Sequence, residues 1–157
     1  MKVTNAMEGC PLVLTWILWI CLVLFACRVT GQILVEFFEV PFLPPSREWF
    51  SGIISYPILL VSQIVIILFL AKVATDLTNG TGRFSHPTKS ASKNLRLFGS
   101  IYLLAMIVRY ILRMYIYPEE RWTGGCIPIF FHCVLATYVL AWSNWKNVSK
   151  QIETKES

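Results

Sequence analysis

An all-helical bundle of four membrane spans is the fold class that the sequence predicts, and three observations carry it. Hydrophobic residues fill 55% of the 157 positions and charged residues only 15%, with a mean hydropathy of +0.58, whereas soluble domains carry about a quarter charged residues. Four apolar segments, at about residues 11–27, 53–71, 97–117 and 126–142, approach the roughly 20 residues that a helix needs to cross a bilayer core. Prolines, glycines and charges separate them and mark where the chain leaves the membrane. The whole chain is expected to form a single membrane domain.

The first span, PLVLTWILWICLVLFAC, carries no charge between Glu8 and Arg28. An apolar core ending in Leu24-Phe25-Ala26-Cys27 also suggests a cleaved leader with a lipoprotein-type site. That match is defective, because Phe25 is bulky and Lys2 is set against Glu8, so an uncleaved helix is expected. Arg28 to Ser51 then reads as the first connection. Within it Ile33–Val40 places Glu36 and Glu39 among apolar neighbours, as an amphipathic extension at the interface would. Pro41, Pro44 and Pro45 end any helix there. Ser46 can cap the next one, and Trp49 and Phe50 suit the aromatic belt where a span enters the membrane.

Pro57 falls in the first turns of the second span, where a missing backbone donor costs least. Gln63 is the strongly polar group near its middle, and a helix-to-helix hydrogen bond is its expected role. Residues 72–96 carry Lys72, Arg83, Lys89, Lys93 and Arg96 against Asp76 alone, and with Gly80, Gly82 and Pro87 they read as a flexible polar loop. The third span contains Arg109 and Arg113. A hinge from Pro118 to Gly125 joins it to the fourth, whose opening turn accommodates Pro128. Residues 144–157 read as a polar, frayed tail.

Four spans put the N-terminus, the loop at 72–96 and the C-terminal tail on one side. That side holds nine basic residues, namely Lys2, the five of the loop, Lys146, Lys150 and Lys155, while Arg28, Arg47 and Arg121 make three on the other. The positive-inside rule therefore predicts cytoplasmic termini. On that topology the glycosylation patterns Asn79-Gly80-Thr81 and Asn147-Val148-Ser149 lie where no glycosyl transfer occurs.

Arg109 and Arg113 are four residues apart and so share a helix face, with Tyr102 and Met106 above them. An arginine at the centre of a span costs about 2.5–3.5 kcal/mol on insertion scales, which calls for a partner or for snorkelling to the interface. No span contains an acid. The anions in reach are Glu36, Glu39, Glu119 and Glu120 near the outer side, or a lipid or ligand phosphate, whose oxygens match the guanidinium fork. A short hinge makes the third and fourth helices antiparallel neighbours, which brings His132 level with Arg109, so Arg109, Arg113 and His132 are expected to converge inside the bundle. Gln63, Tyr102, Glu36 and Glu39 are candidates to support that ligand site.

Other chemistries find little support. Cys10, Cys21, Cys27, Cys126 and Cys133 form no C-x-x-C pair, although Cys27 and Cys126 end their helices on one side and a disulfide between them is conceivable. Ligand spacing for zinc is absent, and His86, the other histidine, lies too far from His132 for a two-histidine haem. No nucleotide-binding loop, nucleophile elbow or zinc-protease motif occurs, so no catalytic residue and no cofactor are expected. Nucleic acid is a poor partner, because no solvated basic domain is present.

From Tyr102 to Leu140 the pattern Y-L-L-A-M-I-V-R-Y, then P-E-E-R-W-T-G-G-C-I-P-I-F-F-H-C-V-L-A, resembles a group of small bacterial integral membrane proteins. Arg109, Arg121, Trp122, Gly125, Pro128, His132 and Ala136 carry the likeness, which covers about 40 of 157 residues. It implies four helices in a bacterial inner membrane, and no activity. The reading that follows is a non-enzymatic multi-pass protein, either one that binds an anionic lipid or ligand headgroup or an accessory subunit that packs on a membrane partner or on a second copy. The alternatives are a membrane-embedded enzyme acting on a lipid phosphate or quinone, with His132 as acid or base, and a small transporter or channel subunit with arginines along an anion path.

Overall fold

A computed structural model describes residues 12–38, 40–45, 49, 55–85, 87–118 and 126–156, with side chains of the last helix described as far as residue 145. Four helices follow one another: α1 (Leu12–Phe38), α2 (Tyr56–Asn79), α3 (Lys89–Ile116) and α4 (Cys126–Glu156). Each is long and apolar enough to cross a membrane, α4 over its part Cys126–Trp145. The described residues are all-α, with four helices of the length and apolarity that a multi-pass membrane protein requires.

Cross-helix contacts fix the topology. Gln32 meets Gln63 and Trp19 meets Thr78, so α1 and α2 are antiparallel. Tyr102 meets His132 and Arg96 meets Asn144, so α3 and α4 are antiparallel as well. The start of α1, the turn after α2 and the end of α4 therefore share one end of the bundle.

The core is built by three helices. Leu18, Cys21 and Leu22 of α1 pack on Leu70, Val73, Ala74 and Leu77 of α2 and on Val134, Tyr138, Ala141 and Trp145 of α4. Tyr138 is wholly buried, and its hydroxyl donates to the Leu70 carbonyl at 2.6 Å, which ties α4 to α2. That carbonyl already serves its own helix, so the tyrosine uses the second lone pair and no apolar surface has to face an unpaired hydroxyl.

α3 stands apart. It packs along α4 and along no other helix among the described residues, and Gly99 is the one buried residue it contributes. The crossing there is close, since a Cβ on Gly99 would stand 2.9 Å from Leu140 Cδ2. Small residues permit such backbone approach between membrane helices, where dispersion contact rather than water exclusion drives association.

The helices outrun the expected spans. Residues 72–79 continue α2 and residues 89–96 belong to α3, so the turn between them is confined to about Gly80–Thr88. Lys72 and Asp76 form an i,i+4 ion pair at 2.5 Å that supports the last turns of α2. Gly80 ends the helix in the left-handed conformation (φ 64°), its N–H directed at the carbonyls of Asp76 and Leu77. Thr88 starts α3 by accepting from the Ala91 N–H at 3.1 Å. Polar residues such as Lys72, Lys89 and Lys93 are compatible with helix, so the helices continue past the apolar segments. The tail from Asn144 is helical to Glu156 for the same reason.

α1 also runs on, through Arg28 and the amphipathic segment, until Phe38. Pro57 sits at the first turn of α2, as expected. Trp49, expected in a lipid-facing belt, is instead buried. Its indole edge lies against Gly31, where an added Cβ would come within 2.7 Å, and its Nε1 donates to the Pro44 carbonyl at 2.9 Å. Ser46, Phe50, Ile53 and the hinge from Glu119 to Gly125 lie outside the described residues.

Candidate functional site

Three of the buried polar side chains, Arg28, Gln32 and Gln63, lie towards the end where the 40–55 connection lies, while Asp76, Ser85 and Ser143 lie towards the other. Gln32 is six residues from the end of α1, Gln63 seven from the start of α2 and His132 six from the start of α4, each about 10 Å along its helix at 1.5 Å per residue. They form one layer, and Arg28 lies one turn deeper on the same face as Gln32.

Arg28 is the charge that this layer encloses. It is 9% exposed, its Nη2 donates to the Trp49 carbonyl at 3.1 Å, and its guanidinium carbon lies 5.5 Å from the Phe131 ring centroid. Its Nε is shielded from solvent and has no hydrogen-bond partner. The one ion pair among the described residues is Lys72–Asp76, on the far end of the bundle. A guanidinium removed from water, with a free donor and no carboxylate against it among the described residues, favours an anion in its vicinity.

Gln63 makes the helix-to-helix bond expected of it, donating through Nε2 to Gln32 Oε1 at 2.9 Å. Both side chains are at most 3% exposed. The opposite ends of the two amides, Gln32 Nε2 and Gln63 Oε1, remain without partners. The layer thus holds two unpaired donors, on Arg28 and Gln32, and one unpaired acceptor, on Gln63.

His132 is half-buried and faces α3 through Tyr102, whose hydroxyl stands 2.5 Å from His132 Nδ1 with the rings edge to face. A single proton is shared along this line, from the phenol to a neutral imidazole or from the imidazole to the phenol oxygen, according to the tautomer. Arg28 and Arg109 both lie within electrostatic reach of the His132 ring.

The expected convergence of Arg109, Arg113 and His132 is only partly seen. Arg109 is exposed, although its position seven residues after Tyr102 puts it on the same face of α3; Gly99 against Leu140 and Arg96 against Asn144 set it within about one turn of His132 in depth. Arg113 is half-buried, and its guanidinium reaches towards the helix end, 5.7 Å from the Tyr117 ring centroid, the direction that snorkelling takes.

Glu36 is exposed at the same end of α1, and Glu39 lies outside the described residues. Cys27 and Cys126 are not joined to one another by a disulfide. No three His, Cys, Asp or Glu side chains gather as a metal site among the described residues. His86 is outside them.

Arg28 and Gln32 escaped the sequence reading, which ended the first span at its first charge. The signal was present in the spacing. Leu18, Cys21, Leu22, Phe25, Arg28, Val29, Gln32 and Val35, the buried residues of α1, recur every three or four positions, so the two polar residues continue the apolar face instead of interrupting it. No family model, curated protein or solved structure matches the chain, so the likeness of residues 102–140 to small bacterial membrane proteins gains no support from these comparisons.

Proposed function

We propose that the protein is a non-enzymatic membrane protein that binds an anionic lipid or ligand headgroup at the layer centred on Arg28, with His132 and Tyr102 beside it and Arg109 and Arg113 on its rim. The observation that carries this reading is the buried Arg28 guanidinium, which has a free Nε and no carboxylate against it among the described residues. An unpaired buried charge is expensive, and a bound phosphate or carboxylate lowers that cost. Gln32 Nε2 supplies a second donor one turn away, and Gln63 Oε1 an acceptor for a ligand hydroxyl or ammonium.

The membrane is proposed to be the bacterial inner membrane, on the likeness of residues 102–140, with both termini cytoplasmic. Placing Arg28 inside α1 removes it from the outer connections, which leaves nine basic residues on the side of the termini against Arg47 and Arg121 on the other. The ligand layer would then face the periplasmic half of the bilayer.

The test is native mass spectrometry of the intact protein released from mild detergent. Arg28→Met should retain one anionic lipid or ligand fewer than wild-type protein while remaining helical. Equal retention by both would remove Arg28 from the site. A second reading, an enzyme acting on a lipid phosphate or quinone, is favoured by the Tyr102–His132 pair, which is poised for proton transfer. It requires turnover that disappears in both His132→Ala and Tyr102→Phe.

A further inference from the structure

A separate cavity opens at the opposite end of the bundle. Its volume is about 650 Å³, and its walls come from the turn after α2, the first three turns of α3 and Trp142 of α4. Such a volume matches a small-molecule site. Arg83, Thr88 and Asn94 stand along it with Phe84, Leu95, Phe98 and Trp142. The rings of Phe84 and Trp142 meet edge to face at 5.6 Å, and Phe69 closes a triangle with them, so this wall is held by packing on α2 and α4.

The lining changes character along α3. Thr88 caps the helix at the polar turn, and Phe98 lies ten residues further on, about 15 Å along the helix, where the apolar span begins. A ligand lying along this path meets charge and amide at one end and aromatic surface at the other. The surroundings are basic: residues 72–96 hold Lys72, Arg83, Lys89, Lys93 and Arg96 against Asp76, and Asp76 is already paired with Lys72.

From this cavity we infer that the protein holds a membrane phospholipid with an anionic headgroup, its phosphate at Arg83 and one acyl chain along Leu95, Phe98 and Trp142. The site is independent of the Arg28 layer, being at the other end of the helices. Arg83 is exposed and free to swing onto a phosphate. Arg96 is held by Asn144 at 2.6 Å, which braces α3 against α4 beside the cavity.

The experiment uses full-length protein in phosphatidylcholine nanodiscs doped with a phosphatidylglycerol that carries a diazirine on one acyl chain, followed by mapping of the labelled residues. Label should concentrate on Leu95, Phe98 and Trp142 and be displaced by dioleoylphosphatidylglycerol but not by soluble glycerol 3-phosphate. Ala91→Trp, which fills the cavity, should abolish that label. Arg83→Gln should raise the competing lipid concentration about tenfold, as loss of one charge-assisted contact does. Arg28→Met should leave the label in place, which keeps this site distinct from the Arg28 layer. Circular dichroism would establish that each variant retains its helices. Label spread evenly over the exposed faces of α1, α2 and α3, and unchanged by Ala91→Trp, would overturn the inference. Displacement by glycerol 3-phosphate would overturn the lipid assignment in favour of a free phosphate ligand.

Discussion

Replacing Arg28 with Met separates a binding role from a structural one, because the energies involved nearly cancel. The charged hydrogen bond to Trp49 contributes about 1.5–3 kcal/mol, and the contact with the Phe131 ring up to about 2 kcal/mol. Against them stands the cost of holding an arginine in the bilayer, about 2.5–3.5 kcal/mol on insertion scales at the centre of a span. Met keeps the apolar stem and removes the charge. In a neutral detergent without lipid, the variant should therefore lie within about 2 kcal/mol of wild type by reversible unfolding. With the Arg83 cavity closed by Ala91→Trp in both proteins, added dioleoylphosphatidylglycerol should then raise the stability of the protein that keeps Arg28, by about 2.7 kcal/mol at a hundredfold excess over its dissociation constant. The variant should gain much less. A variant more than about 3 kcal/mol less stable without lipid would show that Arg28 is a structural residue of the kind whose removal breaks a buried pair, and equal lipid stabilisation of both proteins would place the headgroup elsewhere.

Gly99→Leu should detach α3 from α4 by forcing a side chain against Leu140, at a cost of about 1–3 kcal/mol; a cysteine cross-link engineered between positions 96 and 144 should form more slowly in that background. Tyr138→Phe should destabilise the three-helix core by about 0.6–1.7 kcal/mol, the range for hydrogen bonds between membrane helices, and a loss beyond that would mean that the Leu70 contact organises more than one bond. Reporter fusions at residue 85 and at the C-terminus should both be active only on the cytoplasmic side, and an external signal from either would reverse the sidedness of both sites. Cys27 should remain in an uncleaved chain, so the intact mass should show the full sequence and no added diacylglycerol.

The number of helices and the placement of Pro57 were legible because each rests on a local, strong signal. An apolar run of bilayer length has few readings, and proline restricts where a helix starts. The helix ends were misread where polarity was taken for irregular structure. Lys72, Asp76, Lys89 and Lys93 are compatible with helix, and the i,i+4 spacing of Lys72 and Asp76 supports one. The true stop was Gly80 and the true start Thr88, both visible as punctuation within a segment read as loop throughout.

The site was harder to read, because facing depends on register and register depends on residues far apart in the chain. Arg109 attracted attention by its depth, yet it is exposed, whereas Arg28 was set aside as the first residue beyond a span. What distinguishes them is the company each keeps on its own helix. Arg28 and Gln32 interleave with Phe25, Val29 and Val35 on the one face of α1 that the bundle buries. Arg109 belongs to a helix that buries only Gly99. A charge is enclosed when the apolar face that contains it is the face that packs, and α3 has no second helix to pack against. Among the described residues α3 is attached to α4 alone, through the close approach at Gly99 and two polar pairs, Tyr102 with His132 and Arg96 with Asn144. The two proposed sites therefore depend on α3 to different degrees. The Arg28 layer is built largely from α1, α2 and α4 and should survive a shift of α3, whereas the cavity at Arg83 takes one wall from α3 and should open with it.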